Sequence, residues 1–226
     1  CGDTGDRVRG TVTKRTRRTS SRRKTTWLYL DPYLSWLIFA GVGLGTLNLE
    51  AELRFFLLWL TLLGLTLLHA EGQSGQRESP VLPLRYSLRN VGRGAVLGVV
   101  LALPFLVLAQ DVLALVGRRL YPWPDEVIVW QTLLLIAAPI EELFFRGVMQ
   151  KERGLVVGAI GYGLAALVFF LPAARSFWVI LPAMGLVMTA LGLAYGYAGE
   201  RYGLVASMAC HAMTNALLVG VPRLLA

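Results

Sequence analysis

Seven apolar stretches, separated by short polar segments, limit the folds that this chain can adopt. We place them at about residues 28–49, 54–70, 94–116, 127–149, 155–172, 177–198 and 203–222. A helix needs about 20 apolar residues to cross the hydrocarbon core of a bilayer, and each stretch is close to that length. Only 16% of the 226 residues are charged, whereas a soluble domain has about 25%. The sequence therefore predicts an all-α, polytopic helical membrane protein with about seven transmembrane helices.

Basic side chains are concentrated at the N-terminus. Residues 1–26 hold nine Lys and Arg against two Asp, a charge of +7 out of +8 for the whole chain. The segment has almost no apolar residues to bury, so we predict a disordered basic tail. Two functions stay open for it: a signal that keeps the N-terminus cytoplasmic, or binding to anionic lipid or an acidic partner. We expect no nucleic acid as a partner.

The rest of the chain divides at one long polar connection. Residues 71–93 contain two prolines among several Gly and Ser, which predicts a cytoplasmic linker. On this division, residues 27–70 form a transmembrane helical hairpin and residues 94–226 a second membrane domain. With the N-terminus in the cytoplasm, the inner connections carry more Lys and Arg than the outer ones, as the positive-inside rule requires.

Two adjacent glutamates, Glu141 and Glu142, interrupt the fourth apolar stretch. A carboxylate at membrane depth costs about 2.5–3.5 kcal/mol, so a retained pair needs a reason. Glu142 and Arg146 are four residues apart and share a helix face, which predicts a structural ion pair. Glu141 points about 100° away and lacks that partner, so it is the candidate general base. Alternatively, all three side chains form one charged cluster that only fixes helix packing.

His211 and Asn215 in the last apolar stretch are also four residues apart and share a face. His211 lies eight residues, about 12 Å, from the start of its helix near Gly203. Glu141 lies a similar distance from the inner end of its own helix, so we expect Glu141 and His211 in one site. On its own, His211 would be a hydrogen-bonded packing residue.

A divalent metal is the one cofactor that these side chains suggest. Catalytic zinc usually has three protein ligands, and the H-E-x-x-H spacing is absent. If a metal binds, Glu141 and His211 are its candidate ligands.

Two motifs give this sequence a resemblance to a known family. E-E-x-x-x-R at Glu141, Glu142 and Arg146, and H-x-x-x-N at His211 and Asn215, resemble motifs of the CPBP family (CAAX protease and bacteriocin-processing, or Abi). The resemblance covers about residues 94–222. It implies an intramembrane endopeptidase of a bacterial inner membrane that hydrolyses a peptide bond with a Glu-activated water. It also implies that Glu141 is the base, that His211 and Asn215 stabilise the oxyanion, and that Glu142 and Arg146 are structural.

The middle motif of that family, F-x-x-x-H, is incomplete here. It aligns with Phe170 and places Ala174 where the histidine is expected. Loss of one electrostatic stabiliser lowers a rate about 10²–10³-fold. Two functions therefore stay open: an endopeptidase for a membrane-proximal peptide, or a catalytically impaired scaffold or accessory subunit of a larger membrane complex. A transporter that uses the charged pair as a relay is a third hypothesis.

Overall fold

A computed structural model of the protein describes Gly2 and residues 30–74, 87–174 and 179–225. Within these ranges the chain is almost entirely helical and has no strand, which confirms the all-α prediction. The predicted basic tail lies outside the described residues apart from Gly2. Residues 75–86 of the predicted linker also lie outside them, and both of its ends, up to Ser74 and from Leu88, are helical.

Seven helices make up the described ranges, as the sequence predicts. All except the first are long and apolar enough to cross a membrane, so the protein is an integral membrane protein. The helices are α1 (Pro32–Gly45), α2 (Ala51–Ser74), α3 (Leu88–Leu120), α4 (Glu126–Arg153), α5 (Leu155–Ala174), α6 (Ile180–Tyr202) and α7 (Leu204–Leu225).

Helix α1 is shorter than the apolar stretch that predicted it. It begins where the Asp31 carboxylate accepts a hydrogen bond from the Tyr33 backbone N–H at 2.8 Å, with Pro32 at the first helical position. It ends at Gly45, and its 14 residues extend about 21 Å. That length is less than the roughly 30 Å of a bilayer core.

Helix α3 is longer than predicted and bends. It extends over 33 residues, about 50 Å, and its one residue with non-helical dihedrals is Ala109, at φ −140° and ψ 29°. Pro104, the proline inside this helix, keeps helical dihedrals. The break therefore lies five residues beyond the proline.

Glycines on α3 allow α7 to approach closely. A Cβ added at Gly94 would lie 2.0 Å from the Ala206 carbonyl oxygen, and one at Gly98 would lie 2.5 Å from the Cys210 carbonyl oxygen. Only glycine permits such contact between the backbones of two membrane helices. This packing fixes the helix that carries His211.

A buried arginine joins the α1–α2 hairpin to α5. Arg54 is 2% exposed and donates to the carbonyl oxygens of Val168 and Phe169 on α5, and to Gly43 on α1 at 3.1 Å. Pro172 has no N–H, so the Val168 carbonyl lacks its usual helical donor four residues on. Arg54 supplies that donor, and its charge lies near the C-terminal ends of two helices, where the helix dipole favours a cation.

A second buried arginine holds the connection between α3 and α4. Arg223 near the end of α7 contacts both Glu126 carboxylate oxygens, at 2.8 and 2.9 Å. It also donates to the carbonyl oxygens of Gly117, Tyr121 and Trp123. These five contacts fix Tyr121 and Trp123 against the aromatic side chains of the neighbouring helices.

The contacts of Arg54 lead to a prediction for stability. Arg54→Met should lower the free energy of unfolding by about 2 kcal/mol, because the Val168 carbonyl would be left buried without a donor. The measurement is unfolding of the purified protein in mixed micelles. The control is Arg201→Met, at an exposed arginine near the end of α6, and we expect it to change stability by less than about 0.5 kcal/mol. An equal effect of the two substitutions would contradict the role given to Arg54.

Candidate active site

The two helices that carry the motifs contain π-helical turns next to the motif residues. Helix α4 contains π-helical turns at Thr132–Ala137 and Phe145–Gln150, and the two glutamates lie in the α-helical segment Ala138–Phe144 between them. Helix α7 has a π-helical turn at Ala216–Gly220, immediately after Asn215. Each such turn adds a residue and changes which side chains face a neighbouring helix, and such turns are frequent at functional sites.

Glu142 is the centre of a buried polar network. Its carboxylate is 0% exposed and lies 3.3 Å from the Arg146 Nε, so the predicted ion pair is present. The same carboxylate also lies 3.0 Å from the His211 Nδ1 and accepts a hydrogen bond from the Ser207 hydroxyl. The sequence did not indicate Ser207, which lies one helical turn before His211. Glu142 therefore connects α4 to α7 as well as to Arg146.

Arg146 distributes its charge over two further helices. It donates to the Gly192 carbonyl oxygen of α6 at 3.1 Å. Its guanidinium also lies 5.0 Å from the ring centroid of Tyr162 and 5.8 Å from that of Tyr195. Cation–π contacts of this kind strengthen where water is excluded. Through Arg146 the network reaches α5 and α6.

Glu141 faces away from this network and towards a different nitrogen of the same histidine. Its carboxylate accepts a hydrogen bond from the Trp59 indole N–H at 3.0 Å and lies 3.8 Å from the His211 Nε2. The matched depths of Glu141 and His211 along their helices correctly placed these side chains together. Trp59 was not predicted, because it belongs to α2 and no motif marks it.

The contacts of His211 determine the hydrogen-bonding role of each ring nitrogen. A carboxylate only accepts, so the proton shared with Glu142 lies on Nδ1; Nε2 then accepts in the neutral ring and donates in the imidazolium. The Tyr162 hydroxyl lies 3.2 Å from Nε2 and can donate to it. Nε2 is thus the nitrogen that takes up or releases a proton, on the side that Glu141 occupies.

These side chains line a cavity of about 30 Å³. A buried water needs about 10–15 Å³, so the cavity has room for water. Its polar wall contains Asn215 beside Glu141, Tyr162 and His211, so the structure brings both predicted motifs to one cavity. Its other walls are Phe55, Trp59, Tyr121, Phe145, Ala165, Ala166, Phe169, Phe170 and Met188.

Tyr121, which lines the cavity, lies in the connection between α3 and α4. Its burial, and secondarily the charge of Glu141, raise the pKa of the Tyr121 phenol well above its usual range. Tyr121 therefore stays neutral and acts as an aromatic wall. Its ring stacks on Phe55 at 5.5 Å between centroids and meets Phe170 edge-on at the same distance.

The position predicted for a second histidine lies at a helix end. Ala174 is the last residue of α5, whereas Phe170, the first residue of the predicted motif, lines the cavity. The other cavity-lining residues of α5 are Tyr162, Ala165, Ala166 and Phe169. Among the described residues that line the cavity, His211 is therefore the one histidine. The register of the incomplete motif stays a prediction.

The described side chains do not fit a catalytic metal. No group of three or more His, Cys, Asp or Glu side chains within those ranges is arranged to hold an ion. Only Glu141 and His211 among such residues line the cavity, one fewer than the three protein ligands usual for catalytic zinc. We therefore derive no chemical step that passes through a metal.

Comparison with known proteins gives one match. Residues 123–217 match the family of Rce1-like, type II CAAX prenyl endopeptidases. This match is consistent with the CPBP family, whose motifs the sequence resembles. The matched segment contains both motifs, Ser207 and Tyr162, and leaves Trp59 of α2 outside. No curated protein and no solved structure matches the chain.

The two glutamates of the matched segment should differ in their effect on stability. Glu142→Gln removes the charge that balances a buried Arg146, and breaking a buried pair in this way costs about 3–5 kcal/mol. Glu141→Gln keeps an oxygen that can accept from the Trp59 indole and should cost about 1 kcal/mol or less. Unfolding of both variants in mixed micelles measures this difference. Equal losses would favour the alternative in which all three charges form one structural cluster.

Proposed function

We propose that this protein is an intramembrane endopeptidase in which Glu141 activates a water to hydrolyse a peptide bond. One observation carries the proposal: the Glu141 carboxylate and the His211 Nε2 lie 3.8 Å apart at a small cavity that has room for water. An acceptor carboxylate beside a water-sized space is the arrangement that general-base hydrolysis needs. The match to endopeptidases over residues 123–217 supports the same reaction class.

In the proposed reaction, Glu141 takes a proton from the water as its oxygen adds to the carbonyl carbon of the peptide. The tetrahedral oxyanion that forms is stabilised by a protonated His211 through Nε2–H and by the side-chain amide of Asn215. Collapse of this intermediate breaks the C–N bond, and Glu141 returns the proton to the leaving amine. The products are a carboxylic acid, which releases its proton to water, and a free amine.

Contacts around the two reacting groups support these roles. The Trp59 indole holds one Glu141 oxygen at 3.0 Å and leaves the other to face His211. Glu142 accepts from Nδ1 and stabilises the imidazolium, as the buried acid of a catalytic triad does. Arg146 in turn pairs with Glu142, so the structural ion pair contributes indirectly to the chemistry.

We further propose that the substrate is a membrane-proximal peptide with an apolar attachment, as the prenyl endopeptidases of the matched family suggest. A volume of about 30 Å³ admits water but no peptide. Substrate entry therefore requires the aromatic side chains that line the cavity, here called the aromatic wall, to move apart. Phe55 and Trp59 of α2 face Phe169 and Phe170 of α5 across that wall. Movement of α2 relative to α5 is the simplest opening.

The orientation that we propose follows the basic side chains. Arg89 and Arg93 at the start of α3, Arg153 at the end of α4 and Arg201 at the end of α6 lie on the end of the bundle that we assign to the cytoplasm of a bacterial cell. Asp31 at the start of α1 pairs with Arg153 at that end. Glu141 and His211 would then be reached from the inner leaflet.

The decisive experiment is cleavage by the purified protein in liposomes. The probe is a farnesylated C-terminal peptide that carries a fluorophore and a quencher on either side of the scissile bond. We expect Glu141→Gln to lower the rate by about 10²–10⁴, the usual contribution of a general base. Glu50→Gln, at an exposed glutamate, is the matched control and should leave the rate unchanged. Activity that survives Glu141→Gln would exclude this mechanism.

A second function is favoured by the aromatic wall. Phe169 and Phe170 line the cavity where α5 supplies no histidine, and this suits a catalytically impaired scaffold or accessory subunit. That function predicts no cleavage of the probe by wild-type protein, together with stable co-purification in a larger membrane complex. Isolation of the protein as a free monomer with measurable hydrolysis would exclude it.

A further inference from the structure

A groove between α3 and α6 lies apart from the Glu141 cavity and shares no residue with it. Its volume is about 560 Å³, within the range usual for sites that hold a small ligand. Arg89, Arg93, Val96 and Val100 line one side of it. Spacings of four, three and four residues put these side chains on a single face of α3.

The groove is basic at one end and apolar beyond it. The two arginines are exposed and lie within the first two turns of α3, and the two valines, 63% and 61% exposed, follow deeper along the helix. Tyr197 of α6, 52% exposed, faces the groove from the other side. A ligand that fits this surface has a compact anionic group joined to an apolar chain.

The basic end is held in place by contacts between the helices. The Asn90 side-chain amide donates to the Tyr202 carbonyl oxygen at 3.0 Å, which joins the start of α3 to the end of α6. The Arg93 guanidinium lies 5.4 Å from the ring centroid of Tyr202, so the ring supports its position. Neither Arg89 nor Arg93 takes part in an ion pair among the described residues. Two positive charges thus face the groove without a carboxylate from the described helices.

We propose that this groove is a binding site for one anionic phospholipid. The phosphate lies between Arg89 and Arg93, and an acyl chain follows Val96, Val100 and Tyr197 into the bilayer. Basic pockets between membrane helices recognise anionic headgroups in this way. The chain's own basic tail is an unsuitable occupant, because its charge of +7 would be repelled by the arginines. A soluble anion would leave the apolar part of the groove unused.

Lipid binding to the full-length, delipidated protein tests this assignment through two kinds of variant. Native mass spectrometry would compare phosphatidylglycerol with phosphatidylcholine of the same acyl chains. The charge variant is Arg89→Gln with Arg93→Gln, and its control is Arg201→Gln, at an exposed arginine of the same end that does not line the groove. We expect the charge variant to weaken binding of the tightest phosphatidylglycerol about tenfold or more, and the control to leave it unchanged.

The steric variant leaves every charge in place. A Cβ at Gly92, which lines the groove, meets no heavy atom within 4 Å, so Gly92→Leu fills the groove without displacing a helix. Gly41→Leu is the matched control, because Gly41 is also an exposed helical glycine with open space around it. We expect Gly92→Leu alone to remove the tight phosphatidylglycerol.

Four results would overturn the proposal. They are equal binding of the two lipids, equal effects of the charge variant and Arg201→Gln, no effect of Gly92→Leu, or loss of tight binding in Gly41→Leu. Titration with inorganic phosphate separates the two possible sources of the anion. Displacement of the lipid by millimolar phosphate would indicate a site for free phosphate in place of a lipid site. The basic tail is present in every sample, so its own lipid binding cancels in each comparison.

Discussion

The arrangement of the helices depends on neutralising the Glu142 carboxylate, which is fully buried within a membrane-spanning segment. A charge in this position is tolerated only if it is paired and hydrogen-bonded. Arg146, Ser207 and His211 together meet that requirement from α4 and α7, and Arg146 extends the contacts to α5 and α6. Four helices therefore meet around one carboxylate. Any rotation of α7 would separate Ser207 and His211 from it at the same time.

The other two buried arginines, Arg54 and Arg223, differ from Arg146 in that most of their contacts are with backbone carbonyl oxygens. Arg54 contacts only carbonyl oxygens among the described residues, near helix ends or beside a proline that removes a donor. Arg223 combines such carbonyl oxygens with Glu126. Backbone carbonyls that lack a helical partner are unfavourable in lipid, and an arginine fork satisfies several of them at once. These two side chains close the bundle at the end opposite to the one that we assign to the cytoplasm.

Much of this structure follows from local sequence patterns. Apolar stretches located all the helices, and four-residue spacing gave the Glu142–Arg146 pair. Counting residues from the helix ends predicted that Glu141 and His211 lie in one site. Contacts across helices were harder to predict, because Trp59, Ser207, Tyr162 and Arg54 occupy positions that no motif or spacing marks. The π-helical turns add to the difficulty, since an ideal helix of 3.6 residues per turn gives the wrong face for residues beyond each turn.

The indole of Trp59 lies outside residues 123–217, yet it is the described donor to Glu141. The candidate site is therefore shared between the matched domain and a helix that the family match does not include. A substitution that changes how α2 packs, even far from the cavity, alters the hydrogen bonding of the proposed base. For protein engineering, transplanting residues 123–217 into another scaffold would transfer the motifs but leave behind the group that orients Glu141. The α1–α2 hairpin and residues 123–217 therefore have to be transplanted together.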